Sequence, residues 1–292
     1  MVRLFKLFSI MPLALLRALG SFLGILVWLS AERSRTAIRD NLDRAKGSVG
    51  SNGGHLPNGI QLSAVLRSGW LVTELPIIWA RPEKWEGLKI EGLDTIASLL
   101  SRGRGLIILT PHMGAFELAP RLFARHHPIT VMYRPARHQL MEKTLQTFRP
   151  SNRIHMVPAN SSGIRHFLRT LRSGGIVGLL PDQVPSLGEG VWAPFFGEPA
   201  YTMTLPIRLA QMTNAPIAWA VVERIGGGWT MSMYEWAVEM DFMRLHSHED
   251  WLAAARLMNR EIEALVLRSP RDYLWAYERY RHPRPAETRH GR

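Results

Sequence analysis

The sequence predicts an α/β protein built on one mostly parallel or mixed sheet, with helices on both faces and an apolar helix in front. Three observations carry that expectation. Short runs such as residues 105–110 (GLIILT) and 175–180 (GIVGLL) are apolar throughout, as strands buried on both faces are. Segments of helical periodicity alternate with these runs, the pattern of strand–helix–strand units around a parallel sheet. The first thirty residues are apolar except for a few polar positions, among them Arg3, Lys6 and Arg17.

The 292 residues are 46% hydrophobic and 21% charged, enough apolar content to exclude wholesale disorder. The absence of cysteine removes disulfides, thiolate metal sites and a cysteine nucleophile. A formal net charge of +12 points to a polyanionic partner: nucleic acid, an anionic membrane face or an acidic protein. Residues 11–30 have about the length of a membrane-spanning helix. Arg17 fits a clean span badly, so an in-plane or tilted helix with Arg17 snorkelling competes with it. A secretory signal would need a small-x-small cleavage site, which is not evident before AERSRTAIRD, and a buried core helix is the plainest alternative. The favoured reading is a retained anchor over residues 1–30, with Arg33, Arg35, Arg39, Arg44 and Lys46 on the cytoplasmic side.

Residues 31–45 continue as a polar helix, and residues 47–59 (GSVGSNGGHLPNG) read as a loop before helical spacing resumes over 60–80. Strands are expected at 105–110, 129–133, 155–157 and 175–180, interleaved with helices at 116–126, 138–148 and 162–173. A helix over 202–214, a strand over 216–223 paired with 229–234, a long helix over 250–268 and a final strand over 273–277 follow. The tail, residues 281–292, is basic, proline-rich and expected to fray. The main domain is thus residues 31–280, and the lack of internal repeats excludes solenoids and propellers.

In parallel sheets ligands bind beyond the carboxyl ends of the strands, which selects residues 111–117, 134–137 and 181–183. The first holds His112 and, five residues on, Glu117. Five helical steps leave two side chains about 140° apart, so they meet only if His112 lies in the turn and Glu117 reaches back from the new helix. Gly114 frees that turn. Glu117 would then fix the imidazole tautomer and leave the other nitrogen as a general base. The alternative is that His112 caps a helix and Glu117 favours its positive end. In the second place, Arg134 follows a strand and suits a phosphate or an oxyanion, whereas Arg137 reads as solvated surface. In the third, Asp182 can bind substrate hydroxyls, hold Arg134 or cap the next turn, and Gln183 stands beside it.

Residues 193–197 (APFFG) form an aromatic turn suited to core packing or a pocket wall. His246 and His248 resemble a metal cluster, yet Ser247, Glu249 and Asp250 are ordinary helix-start signals, and no metal site is expected. No serine elbow, phosphate loop, dinucleotide fingerprint or nucleic-acid-binding signature is present, and no cofactor is called for.

These motifs, in this order and behind an apolar helix, resemble the bacterial lipid A biosynthesis acyltransferases, the late lauroyl and myristoyl transferases, kin to the glycerolipid acyltransferases with a His-x4-Asp/Glu motif. The resemblance covers most of the chain. It rests on His112-Met-Gly-Ala-Phe-Glu117, Tyr133-Arg134-Pro135, Leu180-Pro-Asp182-Gln183, Phe195-Phe-Gly197-Glu-Pro-Ala-Tyr-Thr202 and Asp272-Tyr-Leu-Trp275, where Asp272 replaces the usual amide. It implies transfer of an acyl chain from acyl carrier protein to a lipid A precursor hydroxyl at the cytoplasmic face of the inner membrane. His112 would act as general base, Glu117 would orient it, and Arg134 would meet negative charge, without an acyl-enzyme. Asp182 and Gln183 would contact substrate. The basic charge then serves acyl carrier protein, the glycolipid headgroup and an anionic membrane surface rather than nucleic acid. Two rival readings are a glycerophospholipid or other glycolipid acyltransferase, and a non-enzymatic basic membrane- or nucleic-acid-binding protein.

Overall fold

A computed structural model describes residues 2–51, 53–133, 152–236 and 241–282. Helices α1 (Val2–Ser9), α2 (Leu13–Ser30), α3 (Glu32–Ser51), α4 (Ile60–Thr73) and α5 (Leu75–Ala80) come first. Strand β1 (Ile90–Glu91), α6 (Leu93–Ser101), β2 (Leu106–Leu109), α7 (Ala119–Ala124), β3 (Ile129–Tyr133), β4 (Ile154–Pro158), α8 (Ser161–Arg172) and β5 (Ile176–Leu179) build the middle. The hairpin β6 (Gly190–Phe195) and β7 (Glu198–Met203), then α9 (Leu205–Thr213), β8 (Ile217–Glu223), β9 (Thr230–Glu235) and α10 (His248–Arg268) complete it.

The seven-stranded sheet has the order β1-β9-β8-β2-β5-β3-β4. Strands β8, β2, β5, β3 and β4 are mutually parallel, whereas β9 runs antiparallel to β8 and β1 follows β9. Period-two alternation sorts each strand between two cores. Ile107, Leu109, Trp219 and Val221 face the core under α3, α8, α9 and α10. Leu106, Ile108, Ala218 and Ala220 face the opposite core, under α5, α6 and α7. The fold class is therefore the expected one, and the fully buried runs LIIL and IVGL are its central strands.

Five segments differ from expectation for local reasons. The helix starting at Glu32 continues through Ser51 despite its glycines, which shortens the loop before α4. The stretch 60–80 is two helices: α4 ends at Thr73, and Pro76, with no N–H to give, sits in the first turn of α5. Residues 202 and 203 end strand β7, and only residues 205–213 are helical. The aromatic turn is the tip of the β6–β7 hairpin, where Phe196 and Gly197 take φ of 46° and 81°. Residues 273–277 add no strand to the sheet; Tyr273 instead bridges Met113, after a 3-10 turn at Pro270–Asp272. The expected helix over 138–148 lies outside the described residues, as do Arg134 and Arg137 and all but the first two residues of the basic tail.

The start signals near residue 247 are helix signals. Ser247 accepts from the Asp250 backbone N–H, and Asp250 accepts back from that of Ser247, a capping box for α10. Helix α2 is the one described helix long and apolar enough to cross a membrane.

Candidate active site

Strands β2 and β5 are parallel neighbours in register, with Leu109 beside Leu179. Each continues for one residue, turns at a proline (Pro111, Pro181) and delivers a polar side chain three residues past the paired leucines. These are His112 and Asp182. Because adjacent strands lie about 4.8 Å apart, equal spacing from a paired position brings the two side chains together. The sequence carried this signal in the matching strings LTPH and LLPD, and the expectation that set Asp182 on substrate or on Arg134 overlooked it.

Asp182 gives both carboxylate oxygens to His112. Oδ1 lies 2.7 Å from His112 Nδ1, and Oδ2 accepts the His112 backbone N–H at 2.9 Å. The carboxylate is 2% exposed. Burial by itself would raise its pKa, but the charge and hydrogen bonds of His112 outweigh burial and hold it below the usual carboxylate range. An ionised Asp182 places the proton on Nδ1 and leaves Nε2 with its lone pair. The Gln183 amide nitrogen stands 3.0 Å from Nε2 and donates to it. The ring packs edge-on to Phe116, with centroids 4.8 Å apart. Thus the carboxylate on Nδ1 is Asp182, where the sequence reading placed Glu117. Glu117 sits in the 3-10 turn Phe116–Leu118 and lines the same cavity as His112.

The turn carrying His112 is held from outside. Gly114 donates to the Asp272 carbonyl at 2.8 Å, Leu274 donates to the His112 carbonyl at 2.9 Å, and Ala115 donates to Val222 at 2.9 Å. Gly114 has φ of 57°, and a Cβ there would lie 1.7 Å from the Val222 carbonyl oxygen. Gly114→Ala is therefore expected to cost about 1–2 kcal/mol for the left-handed backbone alone, with the clash in addition. Thermal unfolding, read beside turnover, should show both falling.

Behind the pair lie groups the sequence did not single out for this site. The Tyr273 phenol sits next to Asp182; burial first, then that carboxylate's charge, push its pKa well above the ordinary tyrosine value. Arg279 is fully buried nearby, donating to the Tyr201 carbonyl and the Thr202 hydroxyl, each at 2.8 Å. Asp272 is held by Arg67 and Arg224, and Arg224 makes a forked pair with Glu74 at 2.8–3.1 Å.

His112 opens on a cavity of about 570 Å³ along the α7 face of the sheet. Its walls include Ile108, Phe123, Ile129, Val131, Ile154 and Met156, and Arg121 and Arg208 bring cationic groups to it. Among the described residues no cluster of three or more histidine and acidic side chains could hold a metal ion. An oriented imidazole beside an apolar cavity is the equipment of a general-base catalyst working on a substrate with a long apolar part.

Comparison with known proteins narrows that class. The family described as bacterial lipid A biosynthesis acyltransferase matches residues 1–282. The lipid A biosynthesis palmitoleoyltransferase of Escherichia coli is 27% identical over 218 residues, 73% of this chain and 68% of its own length. A lipid A biosynthesis acyltransferase of Haemophilus influenzae is 30% identical over 187 residues, 63% of this chain and 56% of its own. The lipid A biosynthesis lauroyltransferase of Escherichia coli is 25% identical over 222 residues, 73% and 69% of the two chains. The chain belongs to the bacterial lipid A biosynthesis acyltransferase family, and it is an acyltransferase enzyme.

Proposed function

We propose that this enzyme moves a fatty acyl chain from an acyl carrier protein thioester to a hydroxyl of a lipid A precursor, as a late acylation at the cytoplasmic face of the inner membrane. The observation that carries the reading is the Asp182–His112 pair beside an apolar cavity. The acceptor hydroxyl takes the place of the Gln183 amide at Nε2 and gives its proton to that nitrogen as its oxygen attacks the thioester carbonyl. Collapse of the tetrahedral intermediate breaks the carbon–sulfur bond, and the imidazolium returns the proton to the leaving sulfur. Asp182 holds the tautomer and offsets the imidazolium charge. Glu117 adds a second negative charge that favours the imidazolium. Gln183 binds the acceptor, and Arg134 meets the oxyanion or a headgroup phosphate. The excess of basic residues, +12 in all, suits an acidic carrier protein and a phosphorylated glycolipid at an anionic membrane.

The test is acyl transfer by the purified enzyme in mixed micelles, followed by mass spectrometry. Addition of one acyl chain to the lipid A precursor is the expected product. Transfer only to a glycerophospholipid or to another glycolipid would replace the acceptor, and no transfer to any of them would overturn the reading.

The cavity also bears on donor length. Gly178 is in its lining, and a Cβ there would meet Ile129 at 3.0 Å and Val131 at 3.3 Å. Gly178→Val is expected to lower turnover of the longest accepted donor by roughly tenfold or more, since one methylene in an apolar pocket is worth about 1–3 kcal/mol. Shorter donors should be spared. A donor profile like that of the wild type would remove Gly178 from the acyl path.

A further inference from the structure

The N-terminal helices are fastened to the rest of the fold at successive points along their length. Phe5 of α1 packs on Trp79 of α5, with ring centroids 5.6 Å apart. Near the start of α2, Arg17 donates to Glu74 at 2.8 Å and to the Gly227 and Gly228 carbonyls of the β8–β9 turn at 2.9 and 3.2 Å. At mid-helix α2 meets α4 backbone to backbone: a Cβ on Gly69 would lie 1.8 Å from the Gly20 carbonyl oxygen, and one on Gly24 would lie 2.2 Å from that of Val65. At the far end Trp28 packs on the core, and the Arg39 guanidinium lies 5.3 Å from its ring centroid.

The outward arc of α2 is apolar and exposed, with Leu15, Phe22, Leu26 and Leu29, and α4 beside it exposes Leu62 and Val72. An 18-residue helix is about 27 Å long, close to the roughly 30 Å of a bilayer core, so length alone permits crossing. The attachments do not. A crossing helix has its ends on opposite sides of the membrane, whereas both ends of α2 are bonded to one body. Standing α2 upright would carry Arg17, Glu74, Arg224 and the edge of the sheet to hydrocarbon depth, where charged groups are costly.

We propose that α1, α2 and the outer side of α4 form one platform that enters a single leaflet of an anionic bilayer, with α2 along the membrane plane and both its ends on the cytoplasmic side. Such helices bury their apolar face roughly 5–10 Å deep. The charge fits that occupant: Lys6 is exposed on α1 and suitably placed for anionic headgroups, whereas Arg33, exposed just past the far end of α2, pairs with Glu278. The proposal rests on the membrane location proposed above and fixes how the membrane is met.

The native chain has no cysteine, so Lys6→Cys and Ser51→Cys each create a single thiol. Inner-membrane vesicles, inverted so that the cytoplasmic face is outside, are treated with a membrane-impermeant maleimide. A protease-cleavable tag ahead of residue 1 gives a second readout, independent of shielding at residue 6. Both thiols should react without detergent, and the tag should be cut. A tag protected until detergent is added, with Ser51→Cys labelled from outside, overturns the proposal. Transfer activity retained in those vesicles would leave the enzymatic reading standing. Recovery of the protein in the soluble fraction at low salt would instead overturn the membrane location on which the proposal rests.

Discussion

Replacing His112 with alanine is expected to lower turnover by a factor of roughly 10² to 10⁴, the usual worth of a positioned general base, while the fold persists. The side chain is only partly buried, so its loss leaves no large void in the core. The more informative variant is Asp182→Asn. It keeps the shape of the strand end but removes the charge that places the proton on Nδ1. Where a carboxylate holds a catalytic imidazole in this way, the amide costs up to about 10⁴ in turnover because the wrong tautomer is presented. Loss in kcat with little change in the Michaelis constants would mark a transition-state role. Glu117→Gln is expected to lose activity with the second charge, and Glu117→Asp to keep part of it. Steady-state kinetics on folded variants decides between the two carboxylates. Wild-type turnover by Asp182→Asn beside an inactive Glu117→Gln would return the orienting role to Glu117.

Much of this site was legible because it is local. Strand ends, prolines and the glycine in the turn are features of short strings, and the rule for parallel sheets selected the segments that hold His112, Glu117, Asp182 and Gln183. What was missed is pairing between segments. His112 and Asp182 are 70 residues apart, and only the register of β2 against β5 joins them. The hairpin was obscured for a different reason: Pro194 and Pro199 face each other in it, and proline within a run argues against a strand. At the N-terminus the anomaly was visible and its cause was not. Arg17 marked α2 as a poor crossing helix, but its partner Glu74 is 57 residues away, and the carbonyls it binds are more than 200.

That partner carries the largest stability effect expected in the molecule. Glu74 is 1% exposed and holds Arg17 and Arg224; Arg224 in turn shares Asp272 with Arg67. Arg17, Arg67 and Arg224 all approach the Trp70 ring, at 5.1, 5.1 and 5.6 Å from its centroid. Three cations thus meet two carboxylates. Glu74→Ala leaves three against one, with Arg17 deprived of its carboxylate and Arg224 left to share Asp272 with Arg67, and removal of one member of a buried pair costs about 3–5 kcal/mol. For a chain of this size that corresponds to a fall in melting temperature on the order of 10 °C. Arg17→Gln leaves two cations against two carboxylates, with Glu74 still bound by Arg224, so its cost should be clearly smaller. In the double variant Arg17→Gln/Glu74→Ala the orphaned Arg17 is gone, and the combined loss should fall short of the sum of the single ones by roughly 0.5–3 kcal/mol. Because the Asp272 carbonyl receives the Gly114 N–H, the Glu74 variant should also lose turnover at temperatures where it is still folded. Melting curves in micelles for the four proteins of this cycle measure the coupling directly. Strict additivity, or a Glu74→Ala melting temperature equal to that of the wild type, would show that these charges are too well solvated to brace the catalytic turn.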